Sequence, residues 1–178
     1  MKKLLLLMMT TLLFTACATR PTAMTDWNEP LIQQAIQMVR NNEADCVLVT
    51  GGRLIPSTTR RGVSPLLELF DEHGKDFRGG IIVDKVIGRA AASIAICGGA
   101  VAVHGELMSE DGEAFLQANG LATNAKTRVP RILNRKMDGL CPLEQSVAPY
   151  QVPSQALSAL RETVRRLAAG QPAPSPAN

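Results

Sequence analysis

Apolar positions change their period repeatedly along this chain, and each change marks a predicted element. Leu31, Ala35, Ile36 and Val39 recur at helical spacing behind Pro30, a favoured first-turn residue, with Asp26 or Asn28 placed to cap the helix. Cys46-Val47-Leu48-Val49 reads as a short buried strand, Gly51-Gly52 as a turn and Arg53-Leu54-Ile55 as the hairpin partner. Ser64-Pro65 is a cap and first-turn pair, opening a helix through Leu66, Leu67, Leu69 and Phe70 that Gly74 closes. Gly80-Ile81-Ile82-Val83 is a continuous apolar strand, and the pattern turns helical from Lys85 to Ile96. That helix is apolar on most faces and is expected to be buried. Val101 to Leu107 forms the next strand. Ser109 caps a helix with Glu110 and Asp111 in its positive first turn, ending at Gly120. A weak strand covers Leu121 to Lys126, and an irregular stretch leads to a final helix from Ser154 with Leu157, Leu160, Val164 and Leu167 on one stripe.

A helix, a hairpin and then helix–strand alternation predict an α/β fold, a three-layer α/β/α sandwich with a mixed sheet. The apolar continuity of the strands fits burial on both faces. No internal repeat interrupts the pattern, so residues 26–169 read as one domain, followed by a Pro-rich tail at 170–178 expected to be disordered.

The N-terminus has a different pattern. Lys2 and Lys3 precede an apolar run from Leu4 to Phe14, which fits a secretory signal over residues 1–16. Eleven helical residues span only about 16 Å, short of a bilayer core of roughly 30 Å. Thr15-Ala16-Cys17 is similar to a bacterial lipobox, with Phe14 where Leu is usual. The expectation is lipidation of Cys17, a polar tether over 17–25 and a membrane partner reached through the lipid. Acyl chains contribute roughly 0.8 kcal/mol per buried methylene. Ala18, rather than Asp, after the Cys points to the outer membrane facing the periplasm if the host is Gram-negative. The alternative is ordinary signal cleavage nearby, with Cys17 an incidental thiol.

Composition removes several function classes. Hydrophobic residues at 46% and charged residues at 20% exclude wholesale disorder. Aromatics at 3% are too few for a single-strand stacking platform. The net charge of +3 includes Lys2 and Lys3, and without them the chain has no polyanion footprint, so nucleic acid is not an expected partner. Cys46, Cys97 and Cys141 form no Cys-x-x-Cys pair, and no His lies at knuckle spacing, so neither a metal site nor a cofactor is written locally. Cys46 and Cys97 lie in apolar runs and read as buried packing residues.

Several segments together resemble the DUF1893 family of unknown function, of the cytidine deaminase-like fold superfamily. They are Cys46-Val47-Leu48-Val49, Arg61-Gly62-Val63-Ser64-Pro65-Leu66-Leu67, Val83-Asp84-Lys85-Val86-Ile87-Gly88-Arg89-Ala90-Ala91, Asn134-Arg135, and Asp138-Gly139-Leu140-Cys141-Pro142-Leu143-Glu144. The resemblance spans about residues 30–150 and implies a cytidine deaminase-like fold. A lipoprotein leader departs from the family pattern. Zinc deaminases need His-x-Glu or Cys-x-Glu at one helix start and Pro-Cys-x-x-Cys at the next. Here those starts read Asp84-Lys85-Val86 and Ser109-Glu110-Asp111-Gly112, which supply neither the ligands nor the general acid/base Glu, so zinc deamination is not expected.

Two polar clusters remain as candidate sites. Asp84-Lys85 is expected at a strand end entering a buried helix, where open α/β sheets bind ligands and helix N-termini favour anions. Lys85 would clamp a phosphate or carboxylate, and Asp84 would accept a hydroxyl or a proton; the alternative is a plain N-cap and a solvated lysine. The resemblance puts this pair at the equivalent of the deaminase active site. The second cluster runs from Asn134 to Glu144, a structured loop in which Arg135 would bind an anion and Cys141 would serve as a thiol nucleophile or redox centre. Arg135 or Lys136 would supply the cation that such a thiol needs, although no His is evidently paired with it. Otherwise Asn134 and Asp138 simply cap the loop. Arg61, beside Arg60, would extend an anion pocket or form an exposed basic turn. His73 and His104 read as structural.

The leading expectation is therefore a small anionic or nucleotide-like ligand held by Asp84, Lys85, Asn134, Arg135, Asp138 and Cys141. A thiol-dependent enzyme using Cys141 and an envelope scaffold without a small-molecule site are the alternatives.

Overall fold

In the computed structural model the described residues are 25–57 and 62–173. The leader, Cys17, Arg61 and the tail beyond residue 173 lie outside them. The elements are α1 (Pro30–Arg40), β1 (Cys46–Thr50), β2 (Arg53–Pro56), α2 (Ser64–His73), β3 (Ile81–Ile87), α3 (Arg89–Gly98), β4 (Ala102–Ser109), α4 (Glu110–Ala118), β5 (Ala122–Val129), α5 (Pro142–Val147) and α6 (Pro153–Ala168).

The five strands form one mixed sheet in the order β2-β1-β3-β4-β5. β1 is antiparallel to both β2 and β3, whereas β3, β4 and β5 run parallel. Both parallel steps are crossed by a helix, as parallel pairing requires. β1 shows how the sheet is buried on both faces. Cys46 and Leu48 join the larger core beneath α2, α3 and α4, whereas Val47 and Val49 join Ile32, Ala35, Ile36 and Val39 of α1 on the opposite face. α3 is lined by buried Ala90, Ala91, Ala92 and Ala95, and these small side chains let α4 and α6 pack closely against it. The expected three-layer architecture with a mixed sheet is observed.

Several local expectations need correction. The strand of Ile81 does not yield to a helix at Lys85 but continues through Ile87, and the helix starts only after Gly88. Two neighbours hold the extension: Val86 and Ile87 pair with Leu107 and Met108 of β4, and the Lys85 amide donates to the Asp45 carbonyl (3.2 Å). Tertiary pairing overrides the local helical signal. Ser64 is itself helical, with Val63 at the cap position, and the cap position of α1 belongs to Glu29 rather than Asp26 or Asn28. Ser109 does cap α4, its hydroxyl accepting from Gly112 N (3.1 Å). β5 is longer than expected, because β4 offers it pairing as far as Val129. Cys46 is fully buried, but Cys97 is only partly so. The six-residue α5 falls where an irregular stretch was expected.

Candidate functional site

The correction at Lys85 changes the chemistry expected there. Asp84 is not a helix cap but a mid-strand residue, opposite Cys46 on β1 and Gly105 on β4, with 9% of its surface exposed. Its Oδ1 accepts the Val86 amide (3.0 Å). Burial pushes its carboxyl up to about 7; neighbouring Asp45 adds to the rise, and the Val86 and Lys85 amides and the Lys85 ammonium oppose it. Lys85 is not a free clamp, since its ammonium pairs with Asp45.

The start of α3, where an incoming anion would be favoured, is occupied by a side chain of the same protein. Glu144 on α5 accepts from Arg89 N through Oε2 (2.7 Å) and from Ala90 N through Oε1 (3.0 Å). These are two of the donors that a helix N-terminus leaves unpaired. The contact requires Gly88, because a Cβ there would lie 2.6 Å from Glu144 Oε2. Gly112 is equally constrained: its Cβ would come 2.8 Å from the Gly88 carbonyl carbon, so α4 meets this turn backbone to backbone. Burial raises the Glu144 carboxyl above its ordinary range despite the two amides, and Asp111 adds to the rise. Beside it, the buried Arg89 guanidinium donates to Asp111 (3.0 Å), the Tyr150 carbonyl (2.7 Å) and Gln151 (3.1 Å), and lies 3.9 Å from the Phe115 ring centroid.

The other wall follows β5. Leu133 and Leu140 form an antiparallel bridge, closed by Asn134 N to the Gly139 carbonyl (2.8 Å) and Cys141 N to the Ile132 carbonyl (3.0 Å). Asn134 shapes the turn: its Oδ1 accepts from Lys136 N (3.1 Å) and Asp138 N (3.3 Å), and its Nδ2 donates to Asp138 Oδ1 (2.8 Å). Met137 takes a left-handed conformation at the tip (φ 60°). Asn134 and Asp138 therefore build the loop. Arg135 and Lys136 are exposed and form no ion pair among the described residues. Cys141 is a half-buried free thiol immediately before α5.

The two walls enclose one cleft of about 1150 Å³. It brings together Asp84, Lys85, Asn134, Arg135, Asp138 and Cys141, all expected from the sequence, and adds Asp45 and Glu144. Val63, Ala91, Leu143, Val164 and Leu167 supply apolar surface. No local signal marks the roles of Asp45 and Glu144, because each acts on a residue far away along the chain. Neither histidine lines the cleft. His104 is buried beside Trp27 and bonded to Glu106 (3.2 Å), and burial lowers its pKa. His73 ends α2 and pairs with Asp76 (3.5 Å). Among the described residues no three His, Cys, Asp or Glu side chains gather as a metal site. The residues at the starts of α3 and α4 do not fit a deaminase zinc ion.

Residues 34–164 match the family described as TM1506, domain of unknown function DUF1893. A DUF1893 family protein (TM1506) from Thermotoga maritima, known from a crystal structure, is 21% identical and superposes with a TM-score of 0.69, covering 75% of this chain and 90% of that one. A diaminohydroxyphosphoribosylaminopyrimidine deaminase/5-amino-6-(5-phosphoribosylamino)uracil reductase from the same organism is 15% identical with a TM-score of 0.38, over 64% of this chain and 39% of that one. No curated protein matches.

Proposed function

This chain belongs to the DUF1893 family, and from that premise we propose that it binds a small anionic or nucleotide-like ligand in the cleft between β3 and the 130–141 loop. The observation that carries this reading is the convergence of two polar clusters, some fifty residues apart in sequence, on one cavity with apolar walls. A cleft of this size and lining is what ligand sites present. Arg135 and Lys136 at the rim are the groups available to the anion. Lys85 and the α3 N-terminus contribute less than the sequence implied, because Asp45 and Glu144 already engage them.

Thermal unfolding against nucleoside monophosphates and sugar phosphates tests the proposal. A ligand at one hundred times its Kd stabilises by about 2.7 kcal/mol, a shift of several degrees. The shift is expected to disappear in the Arg135→Ala/Lys136→Ala variant. A panel without a hit, or a hit indifferent to that variant, refutes the reading. Thiol chemistry is the second reading, favoured only by Cys141 lining the same cleft. It requires that Cys141→Ser abolish an activity and not merely weaken binding.

The basic start, short apolar run and Thr15-Ala16-Cys17 support export and lipid anchoring at Cys17. Among the described residues no helix is long and apolar enough to cross a membrane. Labelled palmitate should be incorporated into the full chain and lost in Cys17→Ser; label retained in that variant refutes the anchor.

A further inference from the structure

We infer that the cleft is polarised and selects a ligand that enters donor-first: an amidine, guanidine or amino-substituted ring meets Asp84 at the floor, while an anionic group stays at the Arg135–Lys136 rim. The inference rests on the ligand-binding reading for its location and adds the chemistry of the ligand's inner end.

The charges along the cleft are not evenly distributed. Its inner wall holds three carboxyl groups, Asp45, Asp84 and Glu144, against one ammonium, Lys85. Asp45 engages that ammonium, and the backbone of α3 engages Glu144. Asp84 forms no ion pair among the described residues, although the Lys85 ammonium beside it eases its ionisation. It is nine-tenths buried, and what its carboxyl receives comes from backbone amides, that of Val86 at 3.0 Å. Among the described residues of the cleft, the cations without ion pairs are Arg135 and Lys136, which lie on the exposed loop. The rim's own carboxylate, Asp138, already accepts from Asn134 (2.8 Å).

An ionised carboxylate can only accept hydrogen bonds, and a second anion beside it in a low-dielectric wall is repelled. A phosphate driven to the floor would meet Asp84 and Glu144. An N–H-rich group there supplies the partner that Asp84 lacks, and Val63, Ala91 and Leu143 offer apolar contact to a flat ring. Reversing the ligand would place like charges together at both ends. Asp84 is therefore the residue that determines specificity.

Two fragments of opposite charge test this by amide chemical shifts of the purified protein. Benzamidine should move the amides of Lys85 and Val86, and phenyl phosphate those of Arg135 and Lys136. The charged and titratable neighbours of Asp84 are Asp45, Lys85 and the Cys46 thiol. As the Asp84 carboxyl ionises around pH 7, benzamidine affinity should rise about tenfold between pH 6 and pH 8. Asp84→Asn should abolish the benzamidine response, while phenyl phosphate should still move the Arg135 and Lys136 amides; should that variant fail to fold, the wild-type pH dependence still decides. Phenyl phosphate at the Asp84 end, or benzamidine binding indifferent to pH and to Asp84→Asn, overturns the inference. Phenyl phosphate that moves no rim amide, with benzamidine behaving as expected, instead refutes the anion-binding reading.

Discussion

An alanine at Gly88 would test the central junction of this structure with the smallest available perturbation. The backbone there is extended (φ −111°), so alanine carries no conformational strain of its own. The difficulty is entirely the neighbour, because the new methyl would lie 2.6 Å from Glu144 Oε2, well inside van der Waals contact. Either Glu144 withdraws and gives up its bonds to Arg89 N and Ala90 N, or the turn shifts against the backbone contact with Gly112. Losing a helix cap costs about 0.5–2 kcal/mol, and the residual crowding brings the expected loss to about 1–3 kcal/mol. For a domain of this size that corresponds to roughly 3 °C of Tm per kcal/mol. The decisive measurement is a double-mutant cycle in urea with Glu144→Ala, which empties the space the methyl needs. Gly88→Ala should then be nearly silent, giving a coupling of about 1–2 kcal/mol. Additive losses would show that Gly88 matters for some reason other than Glu144, and the reasoning would fail.

Three other outcomes follow from the same geometry. The folded Asp84 carboxyl titrates at about 7 whereas an unfolded one titrates near 4, so the folded state holds more protons in that window and loses stability as pH rises through it. Asp84→Asn should therefore raise the urea midpoint at pH 8 and converge on wild type near pH 4; a gap that does not change with pH refutes the assignment. Arg89→Met should cost about 2–3 kcal/mol, because loss of the buried guanidinium leaves the Tyr150 carbonyl and the Gln151 side chain without their donor, whereas partly exposed Arg161→Met, which breaks the pair with Asp71, should cost less than about 1 kcal/mol. Equal losses in urea would contradict that ranking. In native alkylation followed by mass mapping, Cys141 should label before Cys97, and Cys46 only on unfolding, since Cys46 is fully buried and burial raises both the Cys46 and Cys97 thiols. Early labelling of Cys46 would refute the burial.

The sheet and its flanking helices were legible because their signals are local: alternate burial along Cys46–Val49, helical spacing in α1, and Ser109 as a cap with its own Gly112. The candidate site residues stood out as two polar clusters, and the structure brings both to one cleft. What was not legible is how those residues are engaged. Asp84-Lys85 looks like a helix start until β4 is present to pair with Val86 and Ile87, and the available marker was Gly88, the break before α3. Nothing near Lys85 announces Asp45, and nothing near Arg89 announces a carboxylate fifty-five positions later. Periodicity reports which face of an element is covered but carries no information on which distant side chain satisfies a given donor.

The cleft also has a position in time. A chain made from its N-terminus has β1, β2, β3 and the start of α3 available early, yet one wall of the cleft comes from the segment after β5 and another from Val164 and Leu167 on the last helix. Until α6 docks on α3, the cavity lacks the side that Val164 and Leu167 supply. Under the proposed reading, a chain stopped or clipped ahead of residue 153 would lack that side, and ligand capture would wait for the last helix.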